Sequence, residues 1–286
     1  METITAPAAM QGWADAARAA GLRVALVPTM GALHAGHEAL VAEARRRAGR
    51  VVVSIFVNPL QFDRRDDFER YPRALDDDRA RCAAAGADVL FAPPPAAMYP
   101  EGFQTAVEVA RLTAPLCGRG RPGHFRGVTT VVTKLFHCVR PHVAVFGEKD
   151  YQQLAVVRRL AVDLDFGIEI VGVPTVREAD GLALSSRNRL LGPADREAAL
   201  CVPRALAAAA VAVGAGERRA GTIVSQATAE IAVEARARLE YAELCDPETL
   251  EEVAEVVAPA LLALAVWVGG VRLIDNRLLV PGGEKP

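Results

Sequence analysis

An α/β chain built on a parallel sheet, followed by a smaller α+β domain, is predicted by three features of the sequence. Short, continuously apolar runs alternate with helical stretches of ten or more residues through roughly the first 175 positions, the pattern of β-α-β units in a parallel sheet. Those runs do not switch between polar and apolar residues, as expected of strands covered on both faces. After Pro174 the order changes to two Ala-rich helices and then three strand-like segments, which predicts a separate α+β domain with a small antiparallel sheet. The boundary is placed near residue 175, giving domains over 1–175 and 176–286.

Element by element, Leu22–Pro28 reads as the first strand and Gly36–Ala48 as a helix. Val51–Val57 is a second buried strand, Arg73–Ala85 a helix ending at Gly86, and Ala87–Ala92 a third strand. Gln104–Ala110 reads as a shorter strand near an edge. Gly127–Arg140 is helical, His142–Phe146 a strand, Tyr151–Leu164 a helix and Ile168–Val173 a strand. Beyond it, Gly181–Asn188 is a polar loop, and Pro193–Ala215 and Gly221–Leu239 are helices. Glu240–Leu244, Leu262–Val268 and Val271–Ile274 are strands, the last two joined by Gly269-Gly270 as a hairpin. The tail from Pro281 is short and polar and is expected to fray.

Composition excludes several classes of function. A net charge of −2 offers no global basic field for nucleic acid or an anionic membrane. The longest apolar stretch, Pro259 to Val268, is about half of the roughly 20 residues a membrane helix needs. Met1 to Ala20 lacks the basic start and apolar run of a signal peptide. Five scattered cysteines without a C-x-x-C pair predict reduced, mostly buried thiols and a cytoplasmic protein. Lysine occurs only at Lys134, Lys149 and Lys285 among 33 basic residues, so a lysine inside a motif stands out.

The strongest motif runs from Pro28 through Thr29, Met30, Gly31, Ala32, Leu33, His34, Ala35 and Gly36 to His37. It lies where the first strand hands over to the first helix, at the sheet edge where open α/β sheets bind ligands. A helix start offers unpaired N–H groups and a positive dipole end, both favourable to phosphate. Gly31 and Gly36 allow close backbone approach, and His34 and His37 can donate to phosphate oxygens, including charge that develops during transfer. The competing reading is a tight turn with two exposed histidines.

Gly147, Glu148, Lys149 and Asp150 again lie between a strand and a helix, where a lysine suits polyphosphate; the plainer alternative is a solvated helix start. Ser185, Ser186, Arg187 and Asn188 provide hydroxyls and a guanidinium in the boundary loop, placed to close over a substrate. Asn58 and Gln61 after the second strand, and Gln152 and Gln153 after Lys149, are neutral amides suited to a small polar substrate, or are ordinary capping amides. Arg121 and His124 sit in a Gly/Pro-rich loop that can present cations. Asp76, Asp77 and Asp78 read either as magnesium ligands or as a solvated acidic helix start. No P-loop, Gly-x-Gly-x-x-Gly fingerprint or Gly-x-Ser-x-Gly elbow is present. The groups found stabilise a pentavalent phosphorus without supplying a protein nucleophile.

Seven stretches in order, Thr29–His37, Ser54–Phe62, Tyr71–Arg73, Arg121–Phe125, Phe146–Gln153, Arg177–Asn188 and Leu273–Asn276, closely resemble the pantothenate synthetase (pantoate–β-alanine ligase) family. The resemblance implies a Rossmann-like nucleotidyltransferase domain of the His-x-Gly-His type, a smaller C-terminal lid domain and a homodimer. It also implies formation of pantoyl adenylate and pyrophosphate from pantoate and ATP with Mg2+, followed by attack of β-alanine and release of AMP.

Carried over by position, Met30–His37 line the ATP site, with His37 assisting transfer. Gly147–Asp150 cradle ATP, with Lys149 on the phosphates. Val176 and Leu184–Arg187 close over adenine and phosphates. Gln61 and Gln153 hold pantoate, Gln61 also lying near β-alanine, and Asp77 and Asp78 match proposed magnesium positions. Leu184 departs from the usual Met, a mild change in volume, and Asp63-Arg64-Arg65 replaces a Gly/Asn-containing segment. A cytidylyltransferase or synthetase relative acting on another small acid, or an inactive nucleotide-binding paralogue, are the alternatives. The first should lack Gln61 and Gln153 in these contexts, and the second should lack phosphate-binding side chains that are all present here.

Overall fold

The computed structural model describes residues 1–63 and 65–282; Arg64, Lys285 and the end of the polar tail lie outside the described residues. The chain divides into two compact units. The first comprises Met1–Thr113, Gly118–Glu148 and Val156–Pro174, and the second Ala114–Cys117, Lys149–Ala155 and the chain from Thr175 onward.

The first unit is built on six strands: β1 (Glu2–Ile4), β2 (Val24–Thr29), β3 (Arg50–Ile55), β4 (Val89–Phe91), β5 (Val143–Gly147) and β6 (Glu169–Val173). Their order is β1-β4-β3-β2-β5-β6, and every pair is parallel. Val24–Val27 and Val51–Val53 are all at 0% exposure, which is why their sequences are apolar without alternation. From β2 the chain builds outward through β3 to β4, then returns to β5 and β6 on the other side. Strand order therefore reverses between β2 and β5, and the crevice beyond their carboxyl ends is the ligand position of such sheets.

The sequence-based elements differ from this architecture in particular places. The first strand and helix, β1 and Pro7–Ala19, were not among the expected elements; for β1, three residues carry no readable period. The strand expected over Gln104–Ala110 is irregular backbone. There the Val107 N–H donates to Thr130 Oγ1 at 3.0 Å and its carbonyl accepts from Thr129 Oγ1 at 2.5 Å, so hydroxyls of the His124–Val139 helix take the place of a strand partner.

The second unit holds a three-stranded antiparallel sheet, β7 (Ala237–Cys245), β8 (Ala260–Val268) and β9 (Val271–Leu279), in the order β7-β8-β9. Gly269 and Gly270, at φ 54° and 82°, make the expected two-residue hairpin. Helices Cys201–Gly214 and Ala220–Ala232 share a core with the sheet, through Val202, Leu206, Ile223, Ile231, Leu262 and Leu264 among others. The single helix expected over Pro193–Ala215 is two, Pro193–Ala198 and Cys201–Gly214. Pro203 has no N–H and crowds the carbonyl four residues back, which breaks the run there. Pro193–Gly214 is long and apolar enough to cross a membrane, but its apolar side lines this core. The helix expected to reach Leu239 stops at Ala232, and β7 begins at Ala237. All five cysteines are buried and unpaired.

Candidate active site

The turn after β2 is held from inside the first unit. Thr29 Oγ1 donates to the Ser54 carbonyl at 2.8 Å and accepts from Gly31 N–H at 3.1 Å. Gly31 at φ 82° and Ala32 at φ 52° then reverse the chain through left-handed conformations, which for an alanine is strained and needs outside support. Asp78 supplies it. Its buried carboxylate accepts from Ala32 N–H at 2.9 Å and from Leu33 N–H at 2.7 Å. The fit is close: a Cβ on Gly31 would lie 2.8 Å from Asp78 Oδ2.

The reversal delivers His34 to the N-cap of the Ala35–Arg47 helix. His34 Nδ1 accepts from Gly36 N–H at 3.2 Å, and His37 Nδ1 accepts from His34 N–H at 3.3 Å. This is a reciprocal capping box made of two imidazoles. An imidazole that accepts at Nδ1 carries its proton on Nε2, so each ring offers an Nε2–H donor. Their centroids lie 4.2 Å apart. The His34–His37 motif is thus a cap and a pair of oriented donors at once.

Gln61 joins the turn to the loop after β3. Its Nε2 donates to Met30 Sδ at 3.1 Å, and its Oε1 accepts from Asn58 Nδ2 at 2.9 Å. Asn58 Nδ2 also donates to the Gly127 carbonyl at 3.0 Å, while Asn58 Oδ1 accepts from the Tyr99 hydroxyl at 2.8 Å. Burial pushes the Tyr99 phenol above its ordinary range, so it stays a neutral donor. Gly127 is where the His124–Val139 helix meets this loop. A Cβ there would stand 2.3 Å from the Leu60 carbonyl oxygen and 2.6 Å from Gln61 N.

Arg121 does not present a free cation. It donates to Asp63 Oδ1 at 3.0 and 2.9 Å and to the Gln61 carbonyl at 3.2 Å, and His124 Nδ1 lies 2.7 Å from the same oxygen. Burial acts to raise the Asp63 carboxyl, but the Arg121 hydrogen bonds and charge outweigh it and hold the group below the usual carboxylate range.

In the second unit, the expected adenine and phosphate segments are also brought together. Leu184 N–H donates to the Val176 carbonyl at 2.9 Å, and Arg177 bridges Ala183. Ser185 caps a short 3-10 turn, Ser186–Leu190, its Oγ accepting from Arg187 N–H at 3.3 Å. Asn188 Nδ2 fixes the turn to Glu178 Oε1 at 2.7 Å and to the Ala183 carbonyl at 3.0 Å. Lys149 Nζ lies 3.8 Å from Asp150. The two adjacent glutamines separate. Gln152 is buried, accepting from Cys117 N–H at 3.0 Å and donating to the Pro115 carbonyl at 2.7 Å, whereas Gln153 stays partly exposed.

The structure thus groups Met30–His37, Asn58, Gln61, Asp78 and Arg121 in the first unit, and groups Lys149, Val176 and Leu184–Arg187 with their supports in the second. Gly147 and Glu148 leave β5 next to β2. Sequence reasoning missed Tyr99 and Gly127; for Gly127 the only signal was a glycine early in a predicted helix. Asp77 is exposed, unlike Asp78. Among the described residues, no group of three or more His, Cys, Asp or Glu side chains is arranged to hold a metal ion.

Comparison with known proteins gives a consistent result. The family model for pantoate-beta-alanine ligase matches residues 2–278. A pantothenate synthetase of Syntrophobacter fumaroxidans is 53% identical over 281 residues, covering 98% of this chain and 99% of the relative. One of Geobacter sulfurreducens is 53% identical over 279 residues with the same coverage of each chain. The crystal structure of a Thermus thermophilus pantothenate synthetase superposes with a TM-score of 0.92 at 47% identity, covering 98% of this chain and all (100%) of that one. A Francisella tularensis pantoate-beta-alanine ligase, solved with Beta-gamma ATP and Beta-alanine, gives 0.81 at 32% identity and covers 97% of each chain.

Proposed function

The chain belongs to the pantoate-beta-alanine ligase family, and from that premise we propose how its own residues carry out the ligation of pantoate to β-alanine at the expense of ATP. A pantoate carboxylate oxygen attacks the α-phosphorus of ATP and pyrophosphate leaves, giving pantoyl adenylate. The amine of β-alanine then attacks the acyl carbon, loses a proton, and AMP leaves with the carboxyl oxygen.

The observation that carries this reading is the two-imidazole capping box. With both Nδ1 atoms accepting backbone N–H groups, His34 and His37 direct Nε2–H donors at phosphate oxygens. Donors fixed before the reaction stabilise developing charge without reorganising. In this reading His37 acts as a hydrogen-bond donor to the charge on the transferring phosphate. Met30–Gly36 and Gly147–Asp150 would receive the triphosphate, Lys149 as a point charge. Ser185, Ser186 and Arg187 would serve the phosphates, with Val176 and Leu184 toward adenine. Gln61 and Gln153 would hold pantoate, Asn58 holding Gln61 in place. Arg121 would set the Gln61 main chain rather than touch substrate.

Magnesium would be supplied with the ATP phosphates, usually through one or two carboxylates. Asp77 is exposed and available to it. Asp78 does not fit as a ligand, because it is buried and both its oxygens accept hydrogen bonds from the turn. The unpaired buried thiols support a cytoplasmic enzyme. A homodimer is what the family resemblance leads us to expect, and sedimentation checks it.

The decisive assay is pyrophosphate release from ATP and pantoate in the absence of any amine. A stoichiometric burst, with AMP appearing only when β-alanine is added, is expected. Pyrophosphate release that requires both pantoate and β-alanine from the outset would overturn the adenylate route. Gly127→Ala tests the pantoate end. Its Cβ would collide with the Leu60 carbonyl and Gln61 N, and overpacking of this kind costs about 1–3 kcal/mol. A raised KM for pantoate is expected, with the KM for β-alanine measured alongside and unfolding followed by heat.

A further inference from the structure

The motif Leu273–Asn276 has no part in the chemistry above, yet both of its polar side chains, Asp275 and Asn276, reach other segments of the chain. Asp275 is 3% exposed. Both its oxygens are engaged by one guanidinium, Arg177 Nη1 donating to Oδ2 at 2.6 Å and Nη2 to Oδ1 at 3.0 Å. Arg177 also donates to the Gly181 carbonyl at 3.1 Å and bridges Ala183. It is thus the root of the hairpin that ends in Ser185–Arg187. The next residue, Asn276, donates from Nδ2 to the main-chain carbonyl of Lys149 at 2.9 Å. Its own N–H donates to Asp275 Oδ1 at 2.8 Å, which ties the Asp275 carboxylate to the Asn276 main chain.

β9 pairs with β8 along its full length, Val271 to Leu279, and Asp275 and Asn276 lie near its middle. A paired strand interior is the least mobile backbone on which to mount anything. From that one step of strand, two chain segments distant in sequence are held: the Lys149 main chain and the 177–188 hairpin. Both segments belong to the second unit.

We propose that Asp275 and Asn276 are positioning residues that set the Lys149 backbone and the Ser185–Arg187 turn in fixed register with each other. This rests on the reading that Lys149 and Arg187 serve the phosphates. Neither Asp275 nor Asn276 need touch ATP. Their effect is transmitted through the segments they hold, and displacement of a phosphate-binding group by about 1 Å costs on the order of a hundredfold in rate.

The test is a pair of double-mutant cycles on the full-length enzyme, read as kcat/KM for ATP. Asn276→Ala, and Asn276→Asp, which keeps the shape but removes the donor, are each made alone and in a Lys149→Ala background. Asp275→Asn is made alone and with Arg187→Ala. We expect each Asn276 variant to lower kcat/KM for ATP about tenfold or more in the native background and to add little once Lys149 is gone. KM for pantoate should stay within about twofold. Asp275→Asn should behave in the same way toward Arg187. If the Asn276 variants match wild type, or lose the same factor in both backgrounds, the positioning role is wrong and the residues serve only the fold. If instead Lys149→Ala alone keeps near-native turnover, the reading of Lys149 fails, whatever Asn276 does. Should Asn276→Ala not fold, Asn276→Asp carries the same comparison.

Discussion

Replacing His37 by alanine is expected to lower kcat for adenylate formation by about two to three orders of magnitude, the usual loss when one preorganised donor to a developing charge is removed. The same substitution also removes the acceptor for His34 N–H, and loss of such a cap costs about 1 kcal/mol. The two effects are separable. Glutamine is a common residue at the third position of a capping box because its side-chain oxygen can accept from the N-cap N–H. His37→Gln is therefore expected to recover the thermal stability lost in His37→Ala while leaving kcat low. His34→Asn makes the parallel test, asparagine being a favoured N-cap. Pre-steady-state pyrophosphate release and a melting curve on wild type and these three variants decide the matter. If His37→Gln recovers both stability and rate, the ring has no role beyond the cap.

How far the sequence led can be judged residue by residue. The buried strands β2, β3 and β5 were legible because two-sided burial writes itself as unbroken apolar runs. The His34–His37 turn was legible because two histidines at a strand-to-helix junction have few structural uses. What could not be read depended on contacts between distant segments. Gln104–Ala110 has the residues of a strand, and only the Thr129 and Thr130 hydroxyls show where its hydrogen bonds go. Gln152 and Gln153 are indistinguishable in sequence, but successive helix positions face different ways, and only Gln152 meets the 114–117 segment. The run Asp76-Asp77-Asp78 poses the same problem. Which aspartate faces inward is set by where the Leu75–Ala84 helix lies against the β2 turn.

That third aspartate leads to the second large effect. Asp78→Ala is expected to damage the enzyme more than any change at Asp77. It leaves the Ala32 and Leu33 N–H groups without their acceptor in a buried turn, at roughly 1–3 kcal/mol for each unsatisfied group. It also removes the support for Ala32 at φ 52°, a conformation that relaxes once nothing holds it. Relaxation of the turn shifts the helix start and both histidines with it, so kcat/KM for ATP should fall about a hundredfold. Asp78→Asn keeps one acceptor but turns an amide N–H toward a backbone N–H, so it should retain at most part of the stability. Magnesium separates the turn-holding role from a metal-binding one. If Asp78 ligated the ion, raising its concentration should restore activity to Asp78→Asn by mass action. If Asp78 holds the turn, added magnesium should leave the defect unchanged, because the missing bonds are to Ala32 and Leu33. For Asp77, whose carboxylate faces solvent, the opposite pattern is expected: native stability and a loss of rate that excess magnesium repairs.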